Sequence, residues 1–474
     1  DTAARLASAP YIAQYTPVWG LDLSSGEVLT GLNSYPLRSS GAAFAHAAGL
    51  TGAASVSPGS TNEPSVIAVS DDEFLPGYEE FAGTNVAVVN NRQLPLDPDA
   101  LIGHGTIVSA VALGDSSGGS ADFIGTAPDA QLLFGTYETD AKLAELGRVA
   151  LSRNAVAWNN SWGYPDLGLN QTDFDIAFNQ GQESRDYLQA LRDYSSYGVV
   201  VFAVANEDTR TSSTLMDGLP YLEPELEAGW IAAVNGVPTL NGSDVTSVQL
   251  VSSACLQAAR WCLIADGAWN VPDDTLQLQA GTDLVTGSSF AAPQISGALA
   301  LLEQAFPLLT PHELRVRLLA SAEDNFFTPN AYVELADGFN KGYSFEYGHG
   351  FLDIEAALKP IGPTAMTLAN GNTVTTNAAV LASGTGLGDA LEVSLANTEL
   401  RVKDALAGGF VMPGTALTAA ARPASQAASI LSRSLSSNLA LERTAEVSAL
   451  DNPFSSLGGT TANFRAPDGN ASAA

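Results

Sequence analysis

Positive charge is what this chain most lacks. Its 474 residues carry 20 Lys and Arg against 51 Asp and Glu, a formal net charge of −31. A surface this acidic repels phosphate, which argues against nucleic acid and anionic membranes as partners. It suits solubility, cation binding and an extracellular or saline setting. Long apolar runs are also missing. No segment reaches the roughly 18 residues that a membrane-crossing helix needs, and Gly198–Ala205 and Ile295–Leu302 have the length of a strand or a short helix. Only two cysteines occur, Cys255 and Cys262, and no second Cys/His pair lies near enough for a zinc site. A local disulfide is favoured over two free thiols and argues for an oxidising compartment. The chain opens at Asp1 with neither a basic stretch nor an apolar leader, as expected once a signal peptide has been removed.

Against these absences, hydrophobic residues make up 46% of the chain and charged residues 15%, which is enough for a sizeable core and excludes whole-chain disorder. The length implies two or three units. Residues 1–60 are rich in Gly, Ala and Ser and are expected to pack as an N-terminal segment on the domain that follows. From about residue 61 to 361, short β-branched runs (Val66–Ser70, Asn85–Asn90, Gln131–Tyr137, Val156–Asn160, Gly198–Ala203, Ile231–Val234) alternate with helical stretches at His104–Leu113, Asp140–Arg153 and Phe174–Tyr197. Further helices are expected at 288–305 and 311–321. This alternation predicts an α/β domain, a doubly wound and mainly parallel sheet with helices on both faces. Residues 362–474 read as a smaller extension, a linker or accessory domain with a disordered end at Asn463–Ala474. Six basic and five acidic groups lie in residues 401–474, so the whole acidic excess belongs to residues 1–400.

Histidine, the commonest neutral-pH base, is nearly as scarce as cysteine. Of the four, His46 lies in Ala-rich sequence, His312 follows Pro311 at a helix start as a cap or solvent-facing group, and His349 falls in a turn. His104 stands apart, because Gly103-His104-Gly105-Thr106 leads directly into a helix and the glycines allow backbone close to the ring. Asp71 ends the apolar strand that starts at Val66, where open α/β sheets place functional groups. Gly287-Ser288-Ser289-Phe290-Ala291-Ala292-Pro293 opens a helix whose apolar face repeats at Ala291, Ile295, Ala298 and Leu302. The positive end of that helix helps an oxyanion form there, and Pro293 is tolerated in the first turn. Gly114-Asp115-Ser116-Ser117-Gly118 fits the nucleophile elbow of α/β-hydrolases, but it lacks the required strand before the serine and reads as a loop.

Taken in order, these motifs resemble the subtilase (subtilisin-like serine protease) family across residues 60–360. Gly125-Thr126-Ala127-Pro128 is similar to a family strand lead-in, Asn160-Ser161-Trp162-Gly163 to its substrate-binding segment, and Val200–Asn206 to the strand that ends in the oxyanion asparagine. The resemblance implies a serine endopeptidase with Asp71, His104 and Ser289 as triad and Asn206 in the oxyanion hole. It also implies Asn160, Ser161, Trp162, Gly163, Ala203, Val204 and Ala205 as substrate-binding residues, with Trp162 equally readable as a core aromatic. Ser288 replaces the family's Thr, and Asp71-Asp72-Glu73 replaces Asp-Ser/Thr-Gly. Only one of the adjacent acids can reach His104; the strand favours Asp71 with Asp72 as the fallback, and the other acid would be solvated or capping. Ala205 replaces a glycine and would narrow the primary specificity pocket, and with Tyr164 it suggests a small or medium apolar side chain there.

The cysteine pair and the Ala/Ser-rich extension resemble autotransporter-type subtilases of Gram-negative bacteria. This implies a secreted or cell-surface bacterial protein with a disulfide between Cys255 and Cys262. A membrane barrel, if encoded, would lie beyond residue 474, since no barrel-like alternation is present here. No cofactor is required for the chemistry. Structural calcium is compatible with the composition, but no Asp-x-Asp-x-Asp-Gly loop identifies ligands. Protein or peptide substrates and a monomer are expected. The rival reading is a catalytically silent subtilase-like adhesin or binding module.

Overall fold

The computed structural model describes residues 34–54, 63–92, 103–115, 123–241, 244–272, 282–367, 373–375, 381–382, 399–413 and 418–419. Ser116 and Ser117 of the elbow-like motif and the expected disordered end, Asn463–Ala474, lie outside these residues. Through Lys359 the described chain belongs to one compact unit, and from Pro360 to another.

The first unit is built on parallel strands: β1 (Val66–Asp71), β2 (Val86–Val88), β3 (Gln131–Thr136), β4 (Ala157–Asn160), β5 (Val199–Ala203) and β6 (Trp230–Asn241). Their order is β2-β3-β1-β4-β5-β6, with β7 (Asp244–Leu250) antiparallel beyond β6 and β8 (Cys262–Ala265) parallel to it. This is the doubly wound, mainly parallel sheet expected from the sequence. The winding reverses at β1, which lies between β3 and β4, so Asp71 ends its strand where such sheets open a crevice. Residues of β4 and β5 are buried throughout because helices cover both faces.

Those helices include α1 (Ser34–Ser39), α2 (Ala42–Ala47), α3 (His104–Leu113), α4 (Asp140–Ser152), α5 (Gln171–Phe178), α6 (Gln182–Ser195), α7 (Ser288–Ala305), α8 (Pro311–Ser321) and α9 (Ile354–Ala357). The helix α7 is buried along most of its length. It lies close to α3, because a Cβ on Gly297 would come 2.5 Å from Thr126 and 3.0 Å from the Ala112 carbonyl. Two glutamines hold residues 34–54 against it. Gln294 Nε2 donates to the Pro36 carbonyl (3.1 Å), and Gln304 Oε1 accepts from the Thr51 and Gly52 amides (2.7 and 2.9 Å). On the other face, Trp158, Tyr187, Tyr194, Phe202 and Trp230 form a buried aromatic cluster.

Two expected elements differ in the structure. The single helix expected over Phe174–Tyr197 is two, broken around Asn179-Gln180-Gly181. Gly181 turns to extended backbone and donates its N–H to Ser184 Oγ (3.2 Å), which starts the second helix. The strand expected to end at Val234 continues to Asn241. Gly236 and Pro238 interrupt the apolar signal, but beyond Asn235 β6 pairs only with β7, and a proline is tolerated on such an edge.

Strands β9 (Ala268–Pro272) and β10 (Thr282–Thr286) form a hairpin that delivers the chain to α7, and β11 (Ala331–Ala336) and β12 (Phe339–Tyr343) form another. In the second unit the described residues include six strands. β13 (Ala365–Thr367), β14 (Thr373–Thr375), β16 (Glu399–Lys403) and β17 (Gly409–Pro413) make one sheet, and β15 (Leu381–Ala382) pairs with β18 (Thr418–Ala419). No helix among the described residues is long and apolar enough to cross a membrane.

Candidate active site

Asp71 is fully buried at the end of β1, and its Oδ1 accepts a 2.8 Å hydrogen bond from Nδ1 of His104. That bond fixes the imidazole tautomer and leaves Nε2 as the free ring nitrogen. His104 is the first residue of α3, and its side chain remains 38% exposed, so the ring has one edge on the carboxylate and one in the cleft. Gly105 is needed for this approach, because a Cβ there would lie 2.7 Å from the Cβ of Asp71. Burial pushes the Asp71 carboxyl up, against the pull of the imidazole. Burial alone would lower the imidazole, but Asp71 and then Asp72 outweigh it and hold His104 above its ordinary value.

Ser289 is the second residue of α7. The ring of its neighbour Phe290 lies 5.7 Å, centroid to centroid, from that of His104, bringing the start of α7 against the imidazole. In this resting arrangement Ser289 Oγ donates to the Ser161 carbonyl (3.2 Å) and not to His104. Ser161 Oγ in turn donates to the Ser289 carbonyl (2.8 Å). Ser161 also accepts from Asn159 Nδ2 (2.9 Å), whose own Oδ1 accepts from Ser296 one helical stretch further along α7 (3.2 Å). Asn159 was not singled out in the sequence. The signal was its place beside Asn160 on a buried strand, where an amide must find partners.

Asn206 is exposed just beyond β5. Its Oδ1 accepts from the Ser288 amide (2.9 Å) and from Ser288 Oγ (3.0 Å). An amide N–H can only be met by the oxygen, so the side-chain NH2 is turned away from Ser288 and free to donate elsewhere. The single hydroxyl proton of Ser288 is shared between Asn206 Oδ1 and the closer Val204 carbonyl (2.6 Å).

The remaining expected lining residues divide. Gly163 is exposed, and a Cβ on it would meet nothing within 4 Å, whereas Ser161 is buried against Ser289. Asn160, Ala203 and Val204 are buried, and Asn160 spends its side chain on Ser70 and the Trp158 carbonyl. Trp162 turns inward as a core aromatic. Its Nε1 donates to Ser70 Oγ (3.2 Å), and its ring packs beside Tyr137, Tyr164 and Phe202. The Ala205 carbonyl is occupied by the Ser253 amide (2.8 Å).

The other three histidines each meet a backbone carbonyl: His46 that of Thr126 (2.8 Å), His312 that of Ser195 (2.8 Å) and His349 that of Arg260 (2.9 Å). His312 therefore caps the end of α6 instead of its own helix start or solvent. Cys255 and Cys262 are joined in a disulfide with Cα atoms 5.9 Å apart, and both are buried. No group of three or more His, Cys, Asp or Glu that could hold a metal occurs among the described residues, so no calcium ligands are assigned.

Residues 63–350 match the profile of the subtilase family, and this match covers more than half of the chain. The chain belongs to the subtilase family. Among relatives, it is 30% identical over 232 residues to serotype-specific antigen 1 of Mannheimia haemolytica, covering 48% of this chain and 22% of that protein. It is 28% identical over 286 residues to the autotransporter lipoprotein NalP of Neisseria meningitidis serogroup B, covering 50% and 25%. To the extracellular serine protease of Serratia marcescens it is 24% identical over 372 residues, covering 66% and 32%. The chain thus spans about a fifth to a third of the length of these relatives.

Proposed function

We propose that this subtilase is a secreted serine endopeptidase acting through Asp71, His104 and Ser289. The observation that carries the reading is the 2.8 Å Asp71–His104 bond at the strand-order reversal, with the start of α7 packed against the same imidazole. Asp71 holds the tautomer and stabilises the imidazolium. Nε2 of His104 takes the Ser289 proton as Oγ leaves the Ser161 carbonyl and attacks a peptide carbonyl, then returns it to the departing amine. The acyl-enzyme is released by water through the same imidazole. Asn206 Nδ2 and the Ser289 amide, at the positive end of α7, receive the oxyanion. An extended substrate lies along Ser161–Gly163, backbone to backbone.

Secretion is supported by the disulfide, the acidic surface and the similarity to an extracellular protease and an autotransporter. A fluorophosphonate probe tests the chemistry. It should label the wild-type chain and not Ser289→Ala; a wild-type chain left unlabelled would favour the silent binding module.

A further inference from the structure

The helix α3 starts without a cap of its own. Its N-cap residue is Gly103, which has no side chain, and its first turn contains no acid. A helix leaves its first N–H groups without intrahelical partners, and this one is buried over most of its length, out of reach of water. We propose that Asp72 is a positioning residue that caps α3 from the adjoining strand end and so sets the place of the imidazole. The proposal rests on the reading of Asp71, His104 and Ser289 as the reacting triad.

The carboxylate of Asp72 spans the junction. Its Oδ2 accepts from the His104 amide (3.3 Å), and its Oδ1 from the amides of Gly105 (2.8 Å) and Glu73 (2.6 Å). Its own backbone is fixed on both sides. The Asp72 N–H donates to Asp71 Oδ1 (2.9 Å), the oxygen that also receives the imidazole, and the Asp72 carbonyl accepts from Thr136 Oγ1 (2.6 Å). One residue therefore ties the carboxylate behind the ring to the backbone that carries the ring. Displacing the first turn of α3 would move Nε2 directly, since His104 is its first residue.

Asp72 also places a second negative charge near the imidazolium, beside a helix end that favours anions. The other charged and titratable groups around this corner are Asp71 from β1, Glu73 in the same turn, Arg92 after β2 and Tyr137 after β3. A neutral residue at 72 thus loses both the clamp and part of the field that favours the charged ring.

The test compares Asp72→Asn, which removes the charge and one acceptor, with Asp72→Glu, which keeps the charge. Asp72→Asn should lower kcat/KM by about ten- to a hundredfold, mostly in kcat, and move the acid limb of the pH profile to lower pH. The NMR titration of the His104 ring should move in the same direction, and Asp72→Glu should restore the limb. Should Asp72→Asn not fold, Asp72→Ser supplies the same readouts. An unmoved acid limb and ring titration, with only a lower Tm, would reduce Asp72 to a plain helix cap and overturn the proposal. A wild-type chain unlabelled by fluorophosphonate would overturn it as well, by removing the reaction. The NMR measurement needs no turnover and separates that failure from the first.

Discussion

On the β1 side of the cleft the imidazole stands against carboxylates, Asp71 at 2.8 Å and Asp72 under its own amide. On the α7 side, the contacts that orient Ser289 and Asn206 are neutral: hydroxyls, amides and carbonyls of Ser161, Asn159, Ser288 and Val204. The difference fits the division of labour in the proposed reaction. Proton transfer needs a base tuned by charge, whereas an oxyanion needs donors that are already in place and do not titrate.

Substitutions test whether the two halves are separate in this way. The largest effect belongs to the group that joins the two halves. Ser289→Ala should reduce kcat by about a millionfold while leaving the thermal unfolding curve in place; residual turnover near wild type would remove Ser289 from the chemistry. Asn206→Ala should slow turnover by about a hundred- to a thousandfold without changing the shape of the pH profile. A shifted limb in that variant would mean that the neutral half also tunes the base.

The pH profile itself probes the charged half. His104 must be neutral to accept the proton, and its pKa lies above the ordinary 6.5, so kcat/KM should climb with pH through a limb above that value. A limb below it would contradict the carboxylate support.

The smallest effect concerns Asp266, a titratable group behind the neutral half, whose amide donates to Gln294 of α7 (3.1 Å). Its Oδ2 is buried without a partner, and burial raises its carboxyl to about 6. Between its ordinary 3.8 and about 6 the unfolded chain releases a proton that the folded chain keeps, so stability falls as pH rises through this window. Asp266→Asn should flatten that part of the Tm-versus-pH curve and leave the activity limb alone. An unchanged Tm slope would show that the group does not titrate there.

Much of this was legible before folding. Buried parallel strands read as apolar runs, the glycines around His104 announce close backbone, and Ser289 sits at an evident helix start. Other features depended on partners distant in sequence. Whether Asp72 faced solvent or α3 was settled by a helix that begins 32 residues later. Trp162 was balanced between ligand and core until Ser70 and Tyr137 took it inward. Asn159 could be read as a buried amide in need of partners, but not which ones, because it connects Ser161 with Ser296 across two elements. Strand edges mattered too, since the run expected to end at Val234 continues through Pro238 where β6 pairs on one side only.

The clasps at Gln294 and Gln304 carry a practical consequence. Residues 34–54 are not a detachable sleeve around a finished enzyme. Trimming into them would strip Gln294 and Gln304 of these partners and loosen the rod whose first turn carries Ser289, so a shortened chain should melt at a lower temperature.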